Sequence, residues 1–125
     1  MIDTIGPGFT GQTLRLRGGS SVAVKIEHWD QSVDGTLSEA GLRRKLERLG
    51  YQVSRYVYPP GTYFPDHMHS IDKMDAVVSG RFRLIVEGRE VILEAGDALE
   101  IPGGTVHSAE VIGDEPVVSL DGTKG

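Results

Sequence analysis

Cysteine is absent from the 125 residues. That excludes disulfide staples and thiolate metal sites, so any bound ion must rest on histidine nitrogens and carboxylate oxygens. No apolar run approaches the ~18 residues that a membrane-spanning helix needs, and no basic segment followed by an apolar one opens the chain. The expectation is a cytoplasmic protein with no membrane partner. Basic residues are outnumbered, 13 against 18 acidic ones, and the net charge of −5 argues against a nucleic-acid partner. Repeats and low-complexity tracts are missing as well. The length suits one domain with a proper core and leaves no room for a second, DNA-binding one.

Glycine is plentiful, with 17 residues, and the glycines and six prolines are spread as turns between short apolar runs. The runs are Tyr51 to Tyr58, Lys73 to Ser79, Arg81 to Val86, Glu90 to Leu93, Ala98 to Ile101, Val106 to Ile112 and Val117 to Leu120. Strands recurring at this spacing without intervening helices predict an all-β antiparallel barrel or sandwich. Residues 1–20 read as an N-terminal arm with one edge strand in Gln12 to Arg17. In Val22 to His28 the residues Val22, Val24 and Ile26 share one face, with Lys25 and Glu27 on the other. Between Leu37 and Leu49 the period changes to that of a helix: Leu42, Leu46 and Leu49 line one side, and Arg43, Arg44, Lys45, Glu47 and Arg48 form a solvated face. Ser38 or Thr36 can cap its start and Gly50 its end.

Three of the four histidines fall on two glycine-bounded segments. His67 and His69 are separated by one residue, so on a strand both rings leave the same face, roughly 7 Å apart. His107 follows Pro102-Gly103-Gly104 and can supply a third ligand from another strand. His28 lies outside both segments, as a strand-end residue beside Trp29.

These segments resemble the two motifs of the cupin superfamily, G-x5-H-x-H-x(3 or 4)-E-x6-G at 61–80 and G-x5-P-x-G-x2-H-x3-N at 96–111. The resemblance covers roughly half the chain. It implies a double-stranded β-helix, or jelly-roll barrel, over 21–125, with one short α-helix at about 37–49 before the motifs. It also implies one divalent transition metal (iron, manganese, zinc, nickel or copper) on His67, His69 and His107, and a homodimer in which residues 1–30 cross to the partner. The chain departs from the pattern twice. Lys73 stands where the usual metal-binding glutamate does, and Val111 where the closing asparagine does.

An ammonium about 6 Å from a divalent ion is repelled by roughly 5 kcal/mol at an effective dielectric near 20. Lys73 therefore needs a neutralising partner, and Asp75, two residues along the same strand face, is the expected one; Asp72 is a second candidate. Three neutral imidazoles leave the ion its full charge and open positions, which favours a small anionic ligand, with Lys73 as an anion clamp or proton donor. Three-histidine cupins similar to this chain include oxygenases, so the resemblance implies dioxygenase- or isomerase-type chemistry. The alternatives are a non-catalytic small-molecule-binding or sensing cupin, and a degenerate barrel kept for its interface. Tyr56, Tyr58, Tyr63 and Phe64 either wall a pocket or pack in the core. Arg81 and Arg83 alternate with Phe82 and Leu84 and belong outside.

Overall fold

The computed structural model describes residues 2–4, 10–15 and 21–124, with side chains from Lys25 onward. In chain order its elements are β1 (Ile2–Thr4), β2 (Thr10–Arg15), β3 (Ser21–Glu27), α1 (Gln31–Asp34), α2 (Glu39–Arg48), β4 (Gln52–Tyr58), β5 (Tyr63–His67), β6 (Asp72–Ser79), β7 (Arg81–Val86), β8 (Arg89–Leu93), β9 (Ala98–Ile101), β10 (His107–Ile112) and β11 (Val117–Lys124). They form a seven-stranded sheet in the order β1-β2-β3-β9-β6-β11-β4 and a four-stranded sheet in the order β5-β10-β7-β8. Every pairing is antiparallel. The two sheets make the jelly-roll barrel expected from the motifs. Among the described residues no helix is long and apolar enough to cross a membrane.

Of the arm at 1–20, the described stretches are β1 and β2, which pair with each other and with β3. Residues 5–9 and 16–20 lie outside the described residues.

Side chains alternate across the seven-stranded sheet, and this sorts them into two layers. Val77, Leu99, Ile101 and Val117 point into the barrel, where they meet Phe82, Leu84 and Val111 of the facing sheet. Met74, Ala76, Ala98 and Leu120 point the other way and pack beneath Leu42 and Leu46 of α2. The helix exists because this outer face needs a cover. Its start is capped by Ser38, whose hydroxyl accepts a hydrogen bond from the Gly41 N–H at 3.0 Å. Leu49 is its C-cap, and Gly50 follows at φ 96°.

Lys45 contradicts the expected solvated helix face, and Glu27 is buried as well. Lys45 is buried, with its ammonium 2.8 Å from Asp34 and 5.2 Å from the Trp29 ring centroid. The short helix α1, capped by Asp30, is what carries Asp34 to it. Glu27 does lie opposite Ile26, but the helix-covered side is not wet, and only 2% of the residue is exposed. Neither carboxylate oxygen has a hydrogen-bond partner. Burial, opposed by the charge of Lys45, pushes its pKa up to about 7.

Gly80 joins β6 to β7 at φ 86°, and a Cβ there would collide with the Pro116 carbonyl oxygen. Only glycine fits both constraints. Gly80→Ala is expected to destabilise the fold by at least about 2 kcal/mol, measured by chemical denaturation. Glu27 generates a pH-dependent expectation. Its folded pKa stands above its unfolded value of 4.5, so its stabilising contribution is complete below that value and lost as pH rises through about 7. Glu27→Gln should therefore raise stability at pH 8 by roughly 2–3 kcal/mol and leave it nearly unchanged at pH 4.5.

Candidate metal centre

Two strands and one loop bring the three histidines together. His107 opens β10 directly opposite His67, the last residue of β5. His69 does not share a strand with His67, because β5 ends there; the expected same-face geometry is replaced by a loop that turns the second ring back. That loop is held by the second motif. The Gly104 N–H donates to the His69 carbonyl at 2.7 Å, and the Gly103 N–H to Asp72 Oδ1 at 2.9 Å. A Cβ on Gly103 would stand 2.8 Å from the Ser70 carbonyl oxygen, so glycine permits this approach. Ring centroids are then 4.9 Å apart for His67 and His69, 4.2 Å for His67 and His107, and 5.4 Å for His69 and His107.

Hydrogen bonds decide which ring nitrogens are free. His67 Nδ1 lies 2.7 Å from the Pro65 carbonyl oxygen, and His107 Nδ1 lies 2.9 Å from that of Thr105. A carbonyl only accepts, so each Nδ1 carries a proton, which in a neutral ring leaves Nε2 as the nitrogen with the lone pair. The pKa of His107 is lowered by burial, aided by His67, His69 and Lys73 and opposed by the bond to Thr105. That of His69 is lowered by burial, then by Lys73 and His67. Both rings are thus held neutral, the form a metal requires. One candidate ligand atom from each residue lies within 4.8 Å of the others. The donor set, one imidazole nitrogen from each residue, would suit a divalent transition metal.

The rings open onto a cavity of about 190 Å³. On its polar side are Lys73, Asp75 and Asp121. Lys73 bonds Asp121, with its ammonium 2.8 Å from the carboxylate, and not Asp75 as expected. The register explains the difference. Asp75 lies directly opposite Asp121 across β6 and β11, so the lysine reaches diagonally over the strand gap instead of along its own strand. Asp72 is occupied with Gly103.

Asp75 remains within electrostatic range of Lys73, but burial dominates and, with the Asp121 charge, pushes its pKa up to about 7. The Lys73 ammonium stands 2.8 Å from each of the two carboxylate oxygens of Asp121. Asp121 was invisible to pattern reading because the last strand was expected to stop at Leu120. Its one signal is polarity at every second residue, Ser119 and Asp121, after Val117.

The apolar side of the cavity is aromatic. Tyr58 stands 5.0 Å from Phe64 and 5.8 Å from Phe82 between ring centroids. Its hydroxyl pKa is pushed up to about 12 by burial and by Asp121 and Asp75. Tyr56 and Tyr63 are exposed and do not line the cavity. Arg83 sits outside, paired with Glu90 at 2.6 Å. His28 pairs with Asp97 at 2.7 Å and takes no part in the centre.

Comparison with known proteins places this geometry. Residues 54–122 match the family model described as the cupin domain. No curated protein matches the sequence. Among solved structures, a predicted oxalate decarboxylase from Thermotoga maritima superposes with a TM-score of 0.55 at 19% identity, over 99% of this chain and 97% of that one. A conserved protein of unknown function from Streptococcus pyogenes gives 0.53 at 16% identity, over 60% of this chain and 65% of its own. The DMSP lyase DddQ of Ruegeria pomeroyi gives 0.52 at 28% identity, over 58% of this chain and 38% of its own. The chain thus spans less than two thirds of the latter two structures.

Removing one ring should dismantle the centre without unfolding the barrel. His69→Ala, in the loop, is expected to weaken zinc binding at least about 100-fold in competition with a chromophoric chelator, with the far-ultraviolet circular dichroism unchanged.

Proposed function

The chain belongs to the cupin family, and from that membership we propose that it holds one divalent transition metal on His67, His69 and His107 and acts on a small anionic molecule. The observation that carries this reading is the convergence of three imidazoles, two with Nδ1 committed to backbone carbonyls, on one cavity. Bound there, a divalent ion supplies Lewis acidity toward an anionic oxygen.

The residues of the chain do the rest. The carbonyls of Pro65 and Thr105 orient two of the rings. Asp121 answers the objection raised by Lys73, because a lysine paired at 2.8 Å presents little net charge to an ion. Asp75, whose pKa is raised by burial and by Asp121, carries less negative charge than an ordinary carboxylate, and the three-histidine centre keeps its preference for an anion. Tyr58, Phe64 and Phe82 exclude water from the opposite side. At about 190 Å³ the cavity is smaller than typical drug-sized pockets, and it has room for roughly six water-sized groups. The 28%-identical structure is a lyase, which supports an enzyme over a module that only binds.

Protein purified without a nickel column should carry about one divalent transition metal per chain by elemental analysis, and malonate should bind the metal-loaded form and not the metal-free one. Failure to retain zinc, manganese, iron, nickel or copper after loading would falsify the proposal. The neutralising role of Asp121 has its own check. Asp121→Asn is expected to weaken zinc binding at least about tenfold by leaving Lys73 uncompensated, and the double change Lys73→Met with Asp121→Asn should restore it.

A further inference from the structure

Below the C-terminal end of α2, the outer face of the seven-stranded sheet carries a second cavity, of about 130 Å³. Strand β6 separates it from the metal centre, since Met74 lines this cavity and Lys73 and Asp75 line the other. Lys25 and Glu27 of β3, Glu100 of β9, Lys124 of β11 and Tyr51 are also in its wall. Burial ranks them. Glu27, Tyr51 and Met74 are buried and form the inner end, while Lys25, Glu100 and Lys124 stand at the rim.

The inner end holds an unanswered acceptor. Among the described residues neither carboxylate oxygen of Glu27 has a hydrogen-bond partner, although only 2% of the residue is exposed. Buried carboxylates are ordinarily met by donors from the chain, so this one leaves its acceptors to what enters the cavity. The rest of the lining selects the charge and size of that occupant. A carboxylate at the inner end repels an anion. A hard divalent ion takes about six or more oxygen ligands, and here two carboxylates come with the ammonium groups of Lys25 and Lys124. An ammonium fits better. The wall already accommodates one at its rim, where Lys124 Nζ lies 4.9 Å from the Tyr51 ring centroid and donates to the Leu49 carbonyl at 3.0 Å. The volume suits about four water-sized groups.

We propose that the cavity below α2 binds a small alkylammonium ion whose N–H groups donate to the carboxylate of Glu27. The site is independent of the metal centre. Charges face Glu27 from several elements: Lys45 from α2, Glu100 from β9, and Lys25 and His28 from its own strand and the residue after it. Tyr51 and Lys124 share the cavity, and β2 places Gly11, without charge, opposite Glu27. Burial outweighs the pull of Lys45 and raises the pKa of the carboxyl to about 7. An entering cation therefore competes with a proton.

The test uses the full-length protein labelled with ¹³C at the methionine methyls, with ethylammonium chloride as the probe at constant ionic strength. Met74 reports on the cavity, and Met68, between His67 and His69, is the internal control. The expected result is a saturable shift of the Met74 signal alone. Affinity should be roughly tenfold higher at pH 8 than at pH 6, because a carboxyl with a pKa of about 7 ionises between them while the amine stays charged. Glu27→Gln, expected to be more stable than the wild type at pH 8, should weaken binding at least about tenfold. Tetramethylammonium, with the same charge and no N–H, should not compete. A Met74 signal that never moves would mean that water alone satisfies Glu27, and the proposal would be overturned. Binding that survives in Glu27→Gln, or that is equal at the two pH values, would overturn it too, as the behaviour of ordinary exposed carboxylates. So would competition by tetramethylammonium.

Discussion

The register between β6 and β11 determines what the cavity contains. Because strand side chains alternate, one setting of this pair sends Lys73, Asp75 and Val77 inward with Val117, Ser119 and Asp121, and sends Met74, Ala76 and Leu120 out beneath α2. A slip of β6 by one residue would put Met74 and Ala76 in the cavity and Lys73 and Asp75 under the helix. The apolar core at one end of the barrel and the helix layer outside both hold this register, and the site at the other end inherits it. The polar wall is thus positioned by packing that takes place elsewhere.

The metal centre depends on a second constraint of the same kind. His67 and His107 are neighbours because β5 and β10 pair, whereas His69 comes from a loop and needs tethering. The tether is backbone: two N–H groups of the Gly103-Gly104 turn reach the His69 carbonyl and the Asp72 carboxylate. Glycine at 103 matters because the loops approach too closely for a side chain. The two motifs, 35 residues apart in sequence between His69 and Gly104, are therefore one structural unit, in which the second motif provides a ligand and also fixes a ligand of the first.

Charge burial takes three forms in this small barrel, each with different consequences. Lys45 is paired with Asp34 and roofed by Trp29, and its role is architectural. Lys73, Asp75 and Asp121 are two acids and one base lining a cavity, where burial raises the pKa of Asp75. Both oxygens of Glu27 lack a hydrogen-bond partner among the described residues, so it weighs against stability whenever it is ionised. Buried charge by itself identifies no function. What separates the last two cases from the first is the cavity that each lines.

Local patterns in the sequence determined the all-β class, most strand positions, the helix with its Ser38 cap, and the three histidines, because these depend on alternation, turn residues and short spacings. They missed α1, the burial of Lys45 and Glu27, the end of β5 at His67, and the continuation of β11 through Asp121. The reason is physical. Whether a charged side chain on the outer face of a strand is wet depends on what covers it, and which acid meets Lys73 depends on a strand 48 residues away. Periodicity tells which residues share a face; only the tertiary structure decided what that face meets, since pairing register and layer contacts join segments that carry no mark of one another.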